Sequence, residues 1–436
     1  MVNLLYQGFI AICVAILLWG MLKVDRIYQY PFFMAGTFVA FILPQIKVLL
    51  EVRLFSLEEA AYIRLLVMAC LCLAMCWVGY SFEPKLHWLQ RLHIPLDDKR
   101  LTHVAVAFTL IGWLFAQLAG AYIANWEGGG QLSGAGTIYL FFAQLIYVAF
   151  TIFFIKFLQR PNTVNLLGTL IAGYPILLTV LGGRRQPTLT FLVILGLSVW
   201  LVRRRLPPRW LLLALTVAGI YLIPLIAYLR GGFWELVFSG DWQALQTALQ
   251  TSFGDIQEGD ELELRSAMVL MDWASQNWRF GFGTGLWDAV VFQFVPGQLV
   301  GYEFKESLQF NWLDIQRVFD DYDYSIFVGS TVTGIGDAFT EFWYFGCLVY
   351  ALIGYLFKHL WTSAVYFRSM VSALLMIGLV SPSMVAVSHG LGRFCQEAVF
   401  QIGVVCLIIL YARVRNSSPM VAVSQPSPHL VSKGNG

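Results

Sequence analysis

Apolar runs of about 20 residues recur along nearly the whole chain. A membrane-spanning helix needs about 20 mostly apolar residues, because the hydrocarbon core of a bilayer is about 30 Å thick. Of the 436 residues, 58% are hydrophobic and 12% are charged, whereas soluble domains carry about 25% charged residues. The formal net charge of +2 gives no general attraction to nucleic acid, so no nucleic-acid partner is expected. The sequence therefore predicts an all-α polytopic integral membrane protein.

Eleven segments are long and apolar enough to span a membrane. They run approximately over residues 3–22, 31–50, 60–80, 102–124, 138–158, 163–181, 187–202, 209–229, 338–357, 369–388 and 394–412. This pattern divides the chain into helices 1–8 (residues 1–229), a large loop (230–337), helices 9–11 (338–412) and a tail (413–436) that its Ser and Pro content predicts to be disordered.

Basic residues predict the orientation of these spans, because Lys and Arg in short loops stay on the cytoplasmic side. With the N-terminus outside, seventeen Lys and Arg residues fall in cytoplasmic segments and four in the short outer loops. The N-terminus is then extracytoplasmic and the C-terminus cytoplasmic.

The large loop differs in character from the rest of the chain. Residues 231–336 hold fifteen carboxylates and four basic residues, and this topology places them outside the membrane. Within the loop, residues 262–279 alternate apolar and polar side chains in a pattern that predicts an amphipathic helix lying on the membrane or on the helical bundle.

Four arginines on the outer side are the most informative residues. Arg184 and Arg185 share a short loop, Arg230 ends the eighth helix and Arg393 lies just before the eleventh. Guanidinium groups bind phosphate oxygens in bidentate geometry, so a convergent set is typical of a phosphate or pyrophosphate site. The alternative is that these side chains extend to lipid phosphates, which is how Lys47 and Arg64 are interpreted here.

Three titratable side chains on the same side are candidates for a general base. Asp337 and Glu341 are four residues apart and share one face of a continuous helix, where they can point into the bundle. An acid pair at a helix N-terminus also interacts favourably with the helix dipole, and this alternative stays open. His389 is the third candidate, although a single His at a helix end is more often structural.

Three sequence elements resemble those of the bacterial O-antigen polymerases, which join oligosaccharide repeat units and are related to the O-antigen ligases. Residues 330–346 are similar to the family's G-E-A-Y-x-x-F-G-x-x-G stretch, with Asp337 in a position where Glu is common and with the last glycine replaced. Residues 182–185 resemble the family's small-residue and Arg turn, and residues 280–285 resemble its G-x-G element.

The resemblance implies a GT-C-like glycosyltransferase that polymerises glycan units carried on undecaprenyl pyrophosphate, at the outer face of the bacterial cytoplasmic membrane. Arg184, Arg185, Arg230 and Arg393 would stabilise the pyrophosphate leaving group, and Asp337, Glu341 or His389 would activate the acceptor hydroxyl. No metal and no cofactor are expected. Expected partners are the lipid-linked glycan, membrane lipid and, through the same resemblance, a flippase and a chain-length regulator.

Three other functions remain open from the sequence alone. A ligase that transfers finished glycan would use nearly the same residues. A lipid-linked glycan transporter would need charges in the middle of several helices, and few are present. A non-catalytic assembly protein would use the large loop to bind partners.

Overall fold

The fold consists of helices and short turns. The computed structural model describes residues 1–51, 57–125, 135–182, 185–205, 229, 233–258, 262–324 and 331–414. Before the large loop, its α-helices are α1 Val2–Leu22, α2 Tyr30–Glu51, α3 Glu59–Ser81, α4 Leu86–Leu92, α5 Asp98–Ala124, α6 Ala135–Gln159, α7 Thr163–Leu181 and α8 Arg185–Arg203. From the large loop onward they are α9 Phe233–Ser239, α10 Trp242–Glu258, α11 Glu263–Asn277, α12 Thr284–Phe294, α13 Gly297–Val300, α14 Tyr302–Ser307, α15 Ile315–Asp321, α16 Gly334–Phe342, α17 Cys347–Tyr366, α18 Met370–His389 and α19 Leu391–Ala412.

Ten of the eleven predicted spans are confirmed as helices of sufficient length and hydropathy to cross a membrane, counted within the described residues. The eighth predicted span, residues 209–229, lies outside them except for its last residue, and residues 415–436 of the predicted tail also lie outside. The protein is therefore an all-α polytopic membrane protein.

Close packing of α3 against α17 forms part of the bundle core. A Cβ atom on Gly79 would lie 1.9 Å from the carbonyl oxygen of Ala351, and one on Gly354 would lie 2.7 Å from that of Cys76. Only glycine allows the two backbones to come this close. Small residues allow the same close approach at many helix contacts in membranes. Helix α18 is the most buried of the described spans.

The segments that connect the described helices lie at two opposite ends of the bundle. At one end, the Lys85 amide donates to His359 Nε2 (3.0 Å) and the Asp97 amide donates to the Ala412 carbonyl (2.7 Å). We call this the basic end, because most of the basic residues of the short loops lie there. The opposite end, called the acidic end, carries α11, whose Leu264 amide donates to Gln45 Oε1 (3.1 Å) on α2.

Helix α11 lies where the sequence predicts an amphipathic helix, and it packs on the bundle. Residues 266–272 are buried in succession, so this part of the helix is enclosed on more than one face. Its Leu264 and Met268 side chains are fully buried, and Leu270 and Met271 are almost so. The helix packs against α3 and α16. The large loop therefore contributes to the folded core at the acidic end.

The ninth span begins earlier than predicted and is interrupted. Helix α16 ends at Phe342, and the 3₁₀ turn Trp343–Gly346 leads into α17. Trp343 has φ +54°, and a Cβ atom on Gly346 would lie 1.8 Å from the Ala338 carbonyl oxygen. The chain therefore folds back tightly here, and α16 is a separate short helix buried at the acidic end.

We expect the basic end to face the cytoplasm. A fluorescent protein fused after Val414 should fluoresce, and alkaline phosphatase inserted at Gly240 should be active, because the phosphatase requires disulfides that form only outside the cytoplasm. Exchanging the two reporters between these positions is the control. An inactive phosphatase at Gly240 with full activity after Val414 would reverse the orientation.

Candidate functional site

The candidate site is built around α16, which carries both predicted carboxylates. The Thr333 side chain caps this helix by accepting a hydrogen bond from the Gly336 amide (3.4 Å). A Cβ atom on Gly334 would lie 2.2 Å from the Ala386 carbonyl oxygen, and one on Gly336 would lie 2.9 Å from Ala267 Cβ. The two glycines thus let α16 enter between α18 and α11.

Glu341 is buried and bound by three N–H donors. Its Oε2 accepts a hydrogen bond from the Gly283 amide (2.7 Å), and its Oε1 accepts one from Trp312 Nε1 (3.2 Å). The Gly285 amide is the third donor. Both oxygens of the Glu341 carboxylate accept hydrogen bonds from the large loop, so this side chain connects α16 with that loop.

The glycines of residues 280–285 have a structural explanation in this contact. A Cβ atom on Gly281 would lie 2.5 Å from Glu341 Oε2, and one on Gly285 would lie 2.3 Å from Glu341 Oε1. Gly283 has φ +95°, in the left-handed region that glycine adopts without strain. The loop therefore surrounds a protein carboxylate.

Asp337 contacts the N-terminus of α19 from the neighbouring helix. Its Oδ2 accepts a hydrogen bond from the Gly392 amide (3.4 Å), and the Leu391 amide also donates to this carboxylate. A Cβ atom on Gly390 would lie 2.3 Å from Asp337 Oδ2. The first amides of a helix have no partner within it, so the carboxylate supplies an acceptor as a capping residue does.

Arg393 lies in the first turn of α19, next to the amides that Asp337 binds. Its Nη2 forms an ion pair with Glu397 Oε1 (2.8 Å), and Gln186 Nε2 donates to the same oxygen (3.1 Å). The Arg393 side chain is 35% exposed, so part of the guanidinium remains accessible. Gln186 follows Arg185 directly, so this contact brings the start of α8 beside Arg393.

The other predicted arginines are only partly described. Arg184 and Arg230 lie outside the described residues, and Arg185 begins α8 but its side chain lies outside them as well. Convergence of all four guanidinium groups therefore stays a prediction.

His389 is exposed at the end of α18, where its Nδ1 lies 2.7 Å from Ser388 Oγ. The described residues contain no group of three or more His, Cys, Asp or Glu side chains arranged to hold a metal ion.

Polar side chains extend from Arg393 into the bundle. Gln144, Gln293 and Gln396 line a small cavity together with Arg393 and Glu397. Deeper in the bundle, Thr190 Oγ1 on α8 lies 2.7 Å from Ser381 Oγ on α18. Polar side chains at membrane depth are costly unless they pair with one another, and those that persist often mark functional sites.

Two important residues were not recognised from the sequence. Glu397 follows Arg393 by four residues, and this spacing within a helix is a readable signal for an ion pair. Arg64 was interpreted as extending to lipid phosphates, and this is wrong: its guanidinium forms an ion pair with Asp272 on α11 and donates to Ser275 Oγ (3.1 Å). Because these partners lie more than 200 residues further along the chain, no local pattern indicates them.

Comparisons with protein-family models, with curated proteins and with solved structures found no match to this chain. The function is therefore argued from the geometry of the site.

The Glu341 contacts predict a structural role for this side chain. In Glu341→Gln, an amide NH₂ replaces one acceptor oxygen and faces an N–H donor, so we expect a loss of about 1–3 kcal/mol of stability. Thermal unfolding of the purified protein in detergent, without substrate, should show a lower midpoint. Glu306→Gln, at an exposed position of α14, is the matched control and should not change it. A variant that unfolds like the wild type and yet is inactive would instead indicate a catalytic role for Glu341.

Proposed function

We propose that the protein is a glycosyltransferase that joins oligosaccharide repeat units carried on undecaprenyl pyrophosphate, at the outer face of the bacterial cytoplasmic membrane. The observation that carries the proposal is the position of Arg393. A partly exposed guanidinium lies in the first turn of a spanning helix, beside the start of α8 and next to the amides bound by Asp337. The resemblance of residues 182–185, 280–285 and 330–346 to O-antigen polymerases supports the same function.

The reaction needs fixed positive charge beside the leaving pyrophosphate. The bond between sugar C1 and the pyrophosphate oxygen breaks, and negative charge develops on the pyrophosphate as it leaves. Arg393, with Arg184, Arg185 and Arg230 as further candidates, would stabilise this charge through charge-assisted hydrogen bonds. Glu397 holds one side of the Arg393 guanidinium in place, so the exposed side is the one available to an anion.

The acceptor hydroxyl must lose a proton as its oxygen bonds to C1. Among the three predicted bases, Glu341 is the least suitable, because both of its oxygens already accept hydrogen bonds. Asp337 is the base that we favour, since it lies against the first turn of the helix that carries Arg393. His389 is the alternative, at the exposed end of α18 on the same side of the bundle.

Replacing Arg393 tests the pyrophosphate assignment. We expect Arg393→Ala to lower polymer formation about 100-fold or more, because the loss of one donor to a developing oxyanion costs about that much. Arg393→Lys should retain part of the activity, since the charge stays but the bidentate geometry is lost. The measurement is the ladder of products that the purified protein forms from a lipid-linked repeat unit.

Arg160→Ala, at an exposed position of the basic end, is the control and should leave the ladder unchanged. Normal chain length and amount with Arg393→Ala would contradict the assignment. A single discrete transfer product from the wild-type protein, without a ladder, would indicate a ligase.

Replacing Asp337 and His389 one at a time shows which of them is the base. With Asp337 as the base, Asp337→Asn should lower the rate of polymerisation by about 100-fold or more, while His389→Ala retains most of it. The measurement is the initial rate with the same lipid-linked repeat unit. Undecaprenyl pyrophosphate binding should persist in both variants, which controls for loss of folding. The reverse pattern of rates would identify His389 as the base.

A further inference from the structure

A cavity of about 280 Å³ opens at the acidic end, apart from Arg393 and Glu397. It lies between the start of α3, the end of α11 and the 3₁₀ turn after α16. The side chains that define its chemistry are Arg64, Ser275, Trp278, Phe280, Trp343 and Tyr344.

Two tryptophans form an aromatic wall of this cavity. The rings of Trp278 and Trp343 are 5.9 Å apart between centroids and inclined by 51°. Trp278 is 74% exposed, so most of its ring can be reached by a ligand. Both residues have positive φ, +49° and +54°. Such backbone conformations cost about 1–3 kcal/mol in bulky residues and cluster at ligand sites.

The polar wall of the cavity has no net charge. The Arg64 guanidinium is paired with Asp272, which also accepts hydrogen bonds from Tyr322 Oη (2.9 Å) and Gln276 Nε2 (2.7 Å). Burial and the bond to Asp272 raise the pKa of Tyr322, so its hydroxyl stays protonated and donates. Because Asp272 holds Nη2 of Arg64 and Ser275 holds Nη1, the guanidinium has no free pair of donors for a phosphate or carboxylate.

Arg64 and Ser275 supply the polar wall of the cavity. Ser275 Oγ, which accepts from Arg64 Nη1, adds a hydroxyl to the same wall. These groups suit a ligand that carries several neutral hydroxyls. An acyl chain would cover these polar groups without forming hydrogen bonds to them, which is unfavourable.

We propose that this cavity binds a neutral pyranose ring of the glycan, stacked on Trp278 and Trp343 and hydrogen-bonded at the Arg64 and Ser275 side. Ring faces of tryptophan carry negative charge density and attract the C–H edges that a pyranose presents. Helix α16 connects this cavity with Asp337, since Trp343 directly follows the helix that carries that carboxylate. The inference rests on the proposed function, because it places a second part of the same substrate.

The test uses the purified full-length protein and two separate ligands. An array of neutral, amino and uronic-acid-containing oligosaccharides identifies those that bind, and calorimetry measures their affinity. We expect neutral oligosaccharides to bind. Trp278→Ala should weaken their binding about tenfold, and Trp278→Phe should retain most of it, because the ring face is kept. Trp242→Ala, at an exposed tryptophan of α10, is the matched control and should bind like the wild type.

The second ligand, undecaprenyl pyrophosphate without sugar, distinguishes this inference from the proposed function. Arg393→Ala should lose undecaprenyl pyrophosphate and keep the oligosaccharide, and Trp278→Ala should do the reverse. Equal oligosaccharide binding by Trp278→Ala and the wild type, or no binding to any member of the array, would overturn the cavity assignment and leave the Arg393 result standing. Binding in detergent that disappears in phosphatidylethanolamine and phosphatidylglycerol nanodiscs would also overturn it, because lipid would then occupy the cavity.

Discussion

The contacts of two carboxylates with backbone amides hold together the acidic end of the bundle. A membrane-spanning chain must satisfy its backbone polar groups internally, so a broken helix and an irregular loop are tolerated only where other groups supply the missing partners. Glu341 accepts from the amides of the glycine loop, and Asp337 accepts from the first amides of α19. Both side chains project from α16, so this short helix connects three segments that are far apart in the sequence. The same contacts explain why glycine occupies positions 281, 285 and 390, where a Cβ atom would collide with a carboxylate oxygen.

The spans could be predicted from the sequence because hydropathy is a local property. Hydropathy predicts ten spans that the described residues contain, although the ninth begins earlier than predicted and is interrupted, and the sequence also predicts a helix where α11 lies. The common helix of Asp337 and Glu341 also follows from their spacing. The hydrogen-bond partner of each carboxylate cannot be predicted from a local sequence pattern. Glu341 meets a glycine 58 residues earlier, and Asp337 meets an amide 55 residues later. The break at Trp343 is not predicted, because the apolar run continues across it from α16 into α17.

The ion pair of Arg393 with Glu397 limits how this site can bind an anion. Glu397 is 9% exposed, so removing its partner would leave a buried carboxylate without compensation, which is strongly unfavourable. Arg393 therefore keeps one side of its guanidinium on Glu397, and only the other side is available to a ligand. This arrangement orients the guanidinium before the ligand arrives and reduces the entropy lost on binding. It also lowers the net charge of the pair to zero, so a pyrophosphate would need further cations. Arg184 and Arg185 come directly before the Gln186 that binds Glu397, so they are the first candidates for these cations.

The acidic end has two regions of different chemistry, one around Arg393 and Asp337 and the other around Trp278 and Trp343, and α16 connects them. Near Arg393 and Asp337, ionisable groups lie close together at the start of a helix, where an anion and a proton acceptor can both be held. Near Trp278 and Trp343, the charged side chain that lines the cavity is Arg64, which is paired with Asp272, and the exposed surface is aromatic. A molecule with a doubly phosphorylated lipid at one end and neutral sugar rings at the other has the same division of charge. The hydrogen bonds of Glu341 and Asp337 hold α16 between the two regions. Under the proposed function, a substrate would have to span both regions with its reactive carbon beside Asp337.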